Sequence, residues 1–247
     1  FSREFLNSNP SPDGDYHFYC QPHFTMGMRG VIAVNRPAEN FRTSLDGGQV
    51  VPPNATTAGG NCSVVLNGNE TQVDISCSPS FGGGWSATLA VGSYGEVESE
   101  TVCNFSSSPT TCAISRDQVD KLLSADTFIQ ITKAGAVVRG QVVRANGNFG
   151  VSGRVVTADG IPVPNVQVSL GRDATVSSSS EGSFLFTNVP SGFYLLRGEL
   201  SGFKIDPPAG RNPVMVIDAA AEGRDLRARP DDSSCVTDTD GDGLCDL

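Results

Sequence analysis

Across residues 150–228, apolar side chains alternate with polar ones in short runs: Val151 and Val155, then Val166, Val168 and Leu170, then Phe184, Phe186 and Val189. A period of two places each set on one face of a strand. Asp159-Gly160, Glu181-Gly182 and Ser191-Gly192 interrupt the runs at spacings that predict turns in a small β-sandwich over 149–228. Residues 39–145 carry further short Val, Ile, Leu and Phe runs, with Gly-rich turns at Gly59-Gly60 and Gly82-Gly83-Gly84. One helix is predicted there. Ser115 and Gln118 have the spacing of a capping box, and the pattern up to about Leu123 exposes Arg116 and Lys121 and buries Val119, Leu122 and Leu123.

At the start of the chain, YHFYCQPHFTMGMRGVIAVN predicts a strand, a tight loop and a second strand. Tyr16, Phe18 and Cys20 share one face of the first strand, and His17 and Tyr19 the other. Residues 229–236 (RPDDSSCV) form a polar linker. The expected fold class is all-β: tandem sandwich or barrel modules with one short helix, divided as 1–38, 39–145, 149–228 and 229–247.

Charge narrows the function. The net charge of −10 argues against nucleic acid, whose phosphates need a basic face. Much of that charge sits in the tail, where Asp231, Asp232, Asp238, Asp240, Asp242 and Asp246 occur with no lysine or arginine. No apolar run approaches the ~20 residues of a transmembrane helix. The chain opens at Phe1 without a basic leader, so a signal peptide has been cleaved or the sequence is an excerpt.

Seven cysteines set the expected compartment. Six form neighbouring pairs across short loops, Cys62 with Cys77, Cys103 with Cys112 and Cys235 with Cys245, which predicts disulfides and an oxidising, extracellular or cell-surface location. Each bridge is worth ~2–4 kcal/mol. Asn54, Asn61, Asn69 and Asn104 head Asn-X-Ser/Thr sequons, all in one module, and are candidate glycosylation sites.

The seventh cysteine lies in a different pattern. Cys20-Gln-Pro-His23 followed by Met28 supplies a thiolate, an imidazole and a thioether from one loop, three of the four ligands of a blue-copper site. With the aromatic residues before Cys20, the Gly-Met-X-Gly run and the Val-Ile-Ala-Val strand, this segment resembles the last two strands of a plastocyanin-type cupredoxin. The resemblance implies copper, with a second histidine from an earlier strand. The chain has one other histidine, His17, which strand alternation points away from Cys20. Three completions stay open: an upstream segment, a partner subunit, or a vestigial site.

The next module resembles a chordin-type (CHRD) domain. Its opening carries Phe41, Leu45-Asp46-Gly47, Gln49-Val50-Val51-Pro52-Pro53, Thr56 and Gly59. Its close carries Ser115, Gln118, Leu122-Leu123, Phe128 to Ile131 and Val138-Arg139-Gly140-Gln141. The His-X-His-X-Gly segment common in that family is replaced by Thr88-Leu89-Ala90-Val91-Gly92, so a metal role there is not expected. The resemblance implies an extracellular scaffold or binding module. Gly153-Arg154-Val155, Asp159-Gly160, Pro162-Val163-Pro164-Asn165-Val166, Glu181-Gly182-Ser183-Phe184 and Val189-Pro190-Ser191-Gly192-Phe193-Tyr194 are similar to the carboxypeptidase regulatory-like domain, a transthyretin- or immunoglobulin-like sandwich.

In the tail, Asp238, Asp240 and Asp242 stand at positions 1, 3 and 5 of a loop with Gly243 at position 6. Leu244 offers a carbonyl and Asp246 stands at position 9, a set that fits calcium and resembles a thrombospondin type 3 repeat. No Gly-X-Ser-X-Gly elbow, phosphate loop or His-Glu-X-X-His run occurs, so neither an enzyme nor a small-molecule substrate is expected. The expected function is architectural: a subunit of a surface layer, matrix or filament that self-associates through β-strand contacts. The rival expectation is a copper-binding or electron-transfer protein whose cupredoxin is completed from elsewhere.

Overall fold

A capping box should start the helix at Ser115, and it does. In the computed structural model, which describes residues 15–19, 29–33, 37–172, 174–207 and 212–231, Ser115 accepts from the Gln118 amide and the Gln118 side chain reaches back to the Ser115 amide. Helix α1 spans Arg116–Leu123, with Val119 and Leu122 buried and Leu123 half-buried. It is the one α-helix among the described residues, and every other regular element beyond single 3₁₀ turns is a strand. The chain is all-β.

At the N-terminus, β1 (Asp15–Tyr19) and β2 (Arg29–Ala33) form an antiparallel ribbon in register from Asp15↔Ala33 to Tyr19↔Arg29. The strands of the second module are β3 (Glu39–Asp46), β4 (Gly59–Leu66), β5 (Gln72–Pro79), β6 (Ser86–Val91), β7 (Glu100–Phe105), β8 (Thr110–Ala113), β9 (Thr127–Lys133), β10 (Ala136–Gln141) and β11 (Val143–Arg144). They make one antiparallel sheet in the order β7-β6-β9-β10-β3-β4-β5-β8, with β11 also on β3. The sheet curls into a near-barrel. Alternation on β5 is clean, Val73, Ile75 and Cys77 inward and Asp74, Ser76 and Ser78 outward, and the enclosed core runs from Phe41 and Leu45 through Leu89, Ile129 and Ile131 to Val119 and Leu122 of α1.

The two disulfides of this module act differently. Cys62 and Cys77 face each other across the β4–β5 ladder, Cα atoms 4.1 Å apart, and reinforce strands already paired. Cys103 and Cys112, with Cα atoms 6.1 Å apart, join β7 to β8, the two ends of the sheet order. No ladder pairs those strands among the described residues, so a covalent bond closes the seam.

The third module comprises β12 (Asn148–Val156), β13 (Gln167–Leu170), β14 (Ala174–Ser177), β15 (Ser183–Pro190), β16 (Gly192–Tyr194), β17 (Leu196–Glu199), β18 (Phe203–Asp206), β19 (Val214–Val216) and β20 (Leu226–Pro230). A β15-β12-β20-β18 sheet faces a β14-β13-β17 sheet, and β16 pairs with β19. All eight alternating apolar residues of the sequence pattern are buried between them. Gly160 and Gly182 adopt φ of +81° and +71°, as their turns require. The expected turn at Ser191-Gly192 is instead a switch between sheets. The buried Ser191 hydroxyl donates to the Gly147 and Ile217 carbonyls, and Gly192 begins β16. A Cβ on Gly192 would stand 2.8 Å from the Tyr194 ring, whose hydroxyl donates to the Pro190 carbonyl at 2.8 Å. β20 carries Arg229 and Pro230 into the sheet, where the sequence pattern predicted linker.

Candidate functional site at the junction of the two modules

The sequence-predicted metal residues divide from the rest. Cys20, His23 and Met28 lie outside the described residues, as do Asp238, Asp240, Asp242, Leu244 and Asp246 and the pair Cys235 and Cys245. Their donor chemistry, a thiolate, one imidazole and one thioether, suits copper but leaves the second imidazole of a blue-copper site to be supplied from elsewhere. His17 occupies a ladder position opposite Val31. Among the described residues no group of three or more His, Cys, Asp or Glu could hold a metal ion.

The four sequon asparagines are exposed. Asn54 closes an Asx turn, accepting from the Thr56 amide and donating to the Val137 carbonyl, and Asn104 accepts from the Thr88 hydroxyl. Asn61 stands in mid-strand on β4, opposite Ser44 and Ser78.

Polar chemistry concentrates where the barrel meets the sandwich. Asp46 ends β3, caps the 3₁₀ turn Gly47–Gln49 by accepting from the Gly48 amide at 2.8 Å, and has a side chain only 3% exposed. A carboxylate so buried needs cations and donors. Arg197 of β17 supplies both, with Nη atoms 2.8 and 3.2 Å from the two oxygens, and Arg172 stands 3.9 Å away. Arg172 also donates to the Thr56 carbonyl at 3.0 Å. Nearby, Tyr94 stacks on Phe193 at 5.6 Å, and Gln49 donates to the Ser44 and Phe193 carbonyls. A Cβ on Gly48 would fall 2.3 Å from Cδ1 of Leu195, so the two modules are in close contact at this turn.

Behind this contact the barrel end is held by polar residues. Gln141 donates to the Gly92 and Ala125 carbonyls, and its own amide bonds to Gln49 at 3.4 Å. Buried Arg139 lies 3.4 Å above the Phe128 ring and donates to the Glu96 and Ser93 carbonyls, which anchors the loop that carries Tyr94. Burial lowers the Arg139 pKa, opposed by Tyr94 and Glu98. Burial raises the Tyr94 pKa, Arg139 opposes that rise, and Asp46 adds to it. Gly140 is required because a Cβ would stand 2.2 Å from Thr43 Oγ1 and 2.3 Å from the Ser44 carbonyl.

These contacts join the two modules. Gln49, Arg139, Gly140 and Gln141 stood out in the sequence, and the structure brings them together at the barrel end. Asp46 and Phe193 appeared only within family-like runs, and Arg172, Arg197 and Tyr94 carried no signal. The sole available hint was an aspartate followed by two glycines, which promised a capped turn and nothing about a partner.

Residues 150–224 match the family described as carboxypeptidase regulatory-like domain, and residues 4–35 match that of copper binding proteins of the plastocyanin/azurin family. No curated protein matches the sequence. No helix among the described residues is long and apolar enough to cross a membrane.

Proposed function

We propose that this chain is a non-enzymatic extracellular architectural protein, a subunit or fragment of a surface layer, matrix or filament assembled through β-strand contacts. The observation that carries the reading is the joint. A buried carboxylate clasped by Arg197, with an aromatic stack beside it, couples two β modules that would otherwise swing on a short connection. Rigid coupling suits a protein that bears load or keeps spacing. The disulfides support an oxidising environment. In this reading residues 39–145 are a chordin-type domain, at least two of Asn54, Asn61, Asn69 and Asn104 carry glycans, and Asp238, Asp240, Asp242, Leu244 and Asp246 take calcium. Sedimentation velocity and electron microscopy of the full chain, with calcium and after chelation, test it. Ordered oligomers that need calcium or the 1–36 ribbon are expected. A strict monomer at all concentrations overturns the reading.

A second reading is favoured by the match of residues 4–35: a cupredoxin-type copper-binding or electron-transfer protein, with Cys20, His23 and Met28 as ligands and with its barrel and second histidine supplied upstream or by a neighbouring subunit. When bound, copper would supply one-electron chemistry, and this loop would hold it through sulfur and imidazole. Titration of Cu(II) into the native protein together with the upstream segment or neighbouring subunit that supplies the second histidine should then produce a thiolate-to-copper absorption band that Cys20→Ser abolishes. A colourless titration of that complete assembly ends it.

A further inference from the structure

The outward face of β3, β4 and β5 carries two cross-strand rows of short polar side chains: Arg42, Ser63 and Ser76 in one, Ser44, Asn61 and Ser78 in the next. Both rows are exposed or half-exposed. The hydroxyls of Ser44, Ser63, Ser76 and Ser78 bond to no protein group among the described residues, and the Arg42 guanidinium has no carboxylate partner there. Arg42 and Asn61 line two adjoining depressions. One, of 380 Å³, lies over these rows, and the other, of 220 Å³, runs between the modules and is walled by Arg172, Asn188, Phe186 and Tyr194.

We propose that this face binds an acidic polysaccharide, with a uronate-type carboxylate on Arg42 and sugar hydroxyls on the serine rows. The three strands lie inside the sheet order, with β5 laddered to β8 over residues 72–75 and β3 to β11 at Phe41 and Arg42, which leaves little main chain for a peptide strand to pair with. A ligand must be met by side chains alone, and hydroxyls and amides match a hydroxyl-rich partner. Three strands at ~4.8 Å spacing span about 10 Å, room for two linked pyranose rings. The intermodule depression is smaller than the ~300–1,000 Å³ of drug-sized pockets and suits a single ring against Tyr194, whose hydroxyl is tied to Pro190. The polarity is set as well. Asp74, next on the face beyond Ser76 and bonded to Thr111, repels a carboxylate from that end and leaves Arg42 as its seat. An arginine with no carboxylate partner among the described residues, set among hydroxyls in a chain of net charge −10, would otherwise be an odd placement.

Calorimetric titration of the full chain, prepared without N-glycans so that none on Asn61 covers the face, tests this with three probes: oligogalacturonate, a maltooligosaccharide of equal length, and polyglutamate. Oligogalacturonate should bind, the neutral sugar and polyglutamate far more weakly. Arg42→Ala should weaken binding about tenfold or more, since a hydrogen-bonded charge is lost. Ser76→Ala, at an exposed position that does not threaten folding, should weaken it severalfold. Lys204→Ala on β18 removes the same charge elsewhere and should leave binding unchanged. No binding of oligogalacturonate at millimolar concentration, equal binding of polyglutamate, or equal losses in Arg42→Ala and Lys204→Ala overturns the proposal. The readout is independent of self-assembly, so its failure is distinct from failure of the architectural reading.

Discussion

Asp46 shows how much one side chain can decide. Its carboxylate is nearly inaccessible and is answered by the Gly48 amide and two Arg197 bonds. Removing it strands no fully buried cation, because Arg197 is 43% exposed and can turn to water. Asp46→Ala should therefore cost roughly 2–3 kcal/mol, below the ~3–5 kcal/mol of a wholly buried pair. Asp206 and Arg229 form a pair of similar length at the surface, and Asp206→Ala should cost less than about 1 kcal/mol. Urea denaturation of both variants checks the ranking, and equal losses would mean that burial at the joint adds nothing. Gly140→Ala should cost more than either, several kcal/mol, since the new carbon meets the Ser44 carbonyl and β3 and β10 must part. Tyr94 adds a pH dependence. Its raised pKa means that the native state holds the proton more tightly than the unfolded chain, so the stability it contributes is complete below the ordinary value of 10.0 and is lost as pH rises above it. The melting temperature should fall as pH rises above about 10 more steeply in the parent than in Tyr94→Phe. Gly140 and Gln141 were legible in the sequence as family-like residues. The pairing of Asp46 with Arg197, 151 positions apart, was not, because no local period or spacing records a contact between modules.

Elements followed the sequence where their causes were local. The helix began at its capping serine, and the eight alternating apolar residues of the third module all turned inward. Ser191-Gly192 departed from expectation because a turn dipeptide also suits a chain that changes sheets, and the ring of Tyr194 fills the space where a side chain would stand. The disulfides were legible as pairs but not as roles. Cys62–Cys77 lies within the β4–β5 ladder, while Cys103–Cys112 spans the seam between β7 and β8. Loops of 15 and 9 residues confer similar chain-entropy stabilisation, about 2.5–3 kcal/mol each. The difference should thus appear in where the fold loosens. Replacing Cys103 and Cys112 by serine should raise amide exchange across β7 and β8, whereas replacing Cys62 and Cys77 should leave those strands protected, since the ladder still holds β4 to β5. Hydrogen exchange read by mass spectrometry decides it, and equal protection of β7 and β8 in both variants would deny the seam its role.

At the scale of the whole molecule, the question is whether residues 37–231 unfold as one body or as two. Each module has its own core, enough for independent folding, so the default is loose tethering. Four features oppose it. The Asp46–Arg197 bonds and the Tyr94–Phe193 stack cross the joint, Gln49 reaches the Phe193 carbonyl, and Leu195 packs closely over Gly48. Each is worth on the order of 1 kcal/mol, with the ion pair at the upper end. Together they reach a few kcal/mol, a substantial share of the ~5–15 kcal/mol that holds an ordinary domain folded. The two modules should accordingly melt together in the parent chain, in one calorimetric transition whose van't Hoff and calorimetric enthalpies agree for this region. Asp46→Ala combined with Phe193→Ala should split that transition in two and shift the module with the weaker core downward. The disulfide-closed barrel would melt last, because its bridges restrict only its own unfolded state. If the parent already shows two transitions, or the double variant still shows one, the junction is not what couples the modules. A rigid architectural unit would then have to draw its stiffness from contacts with a neighbour.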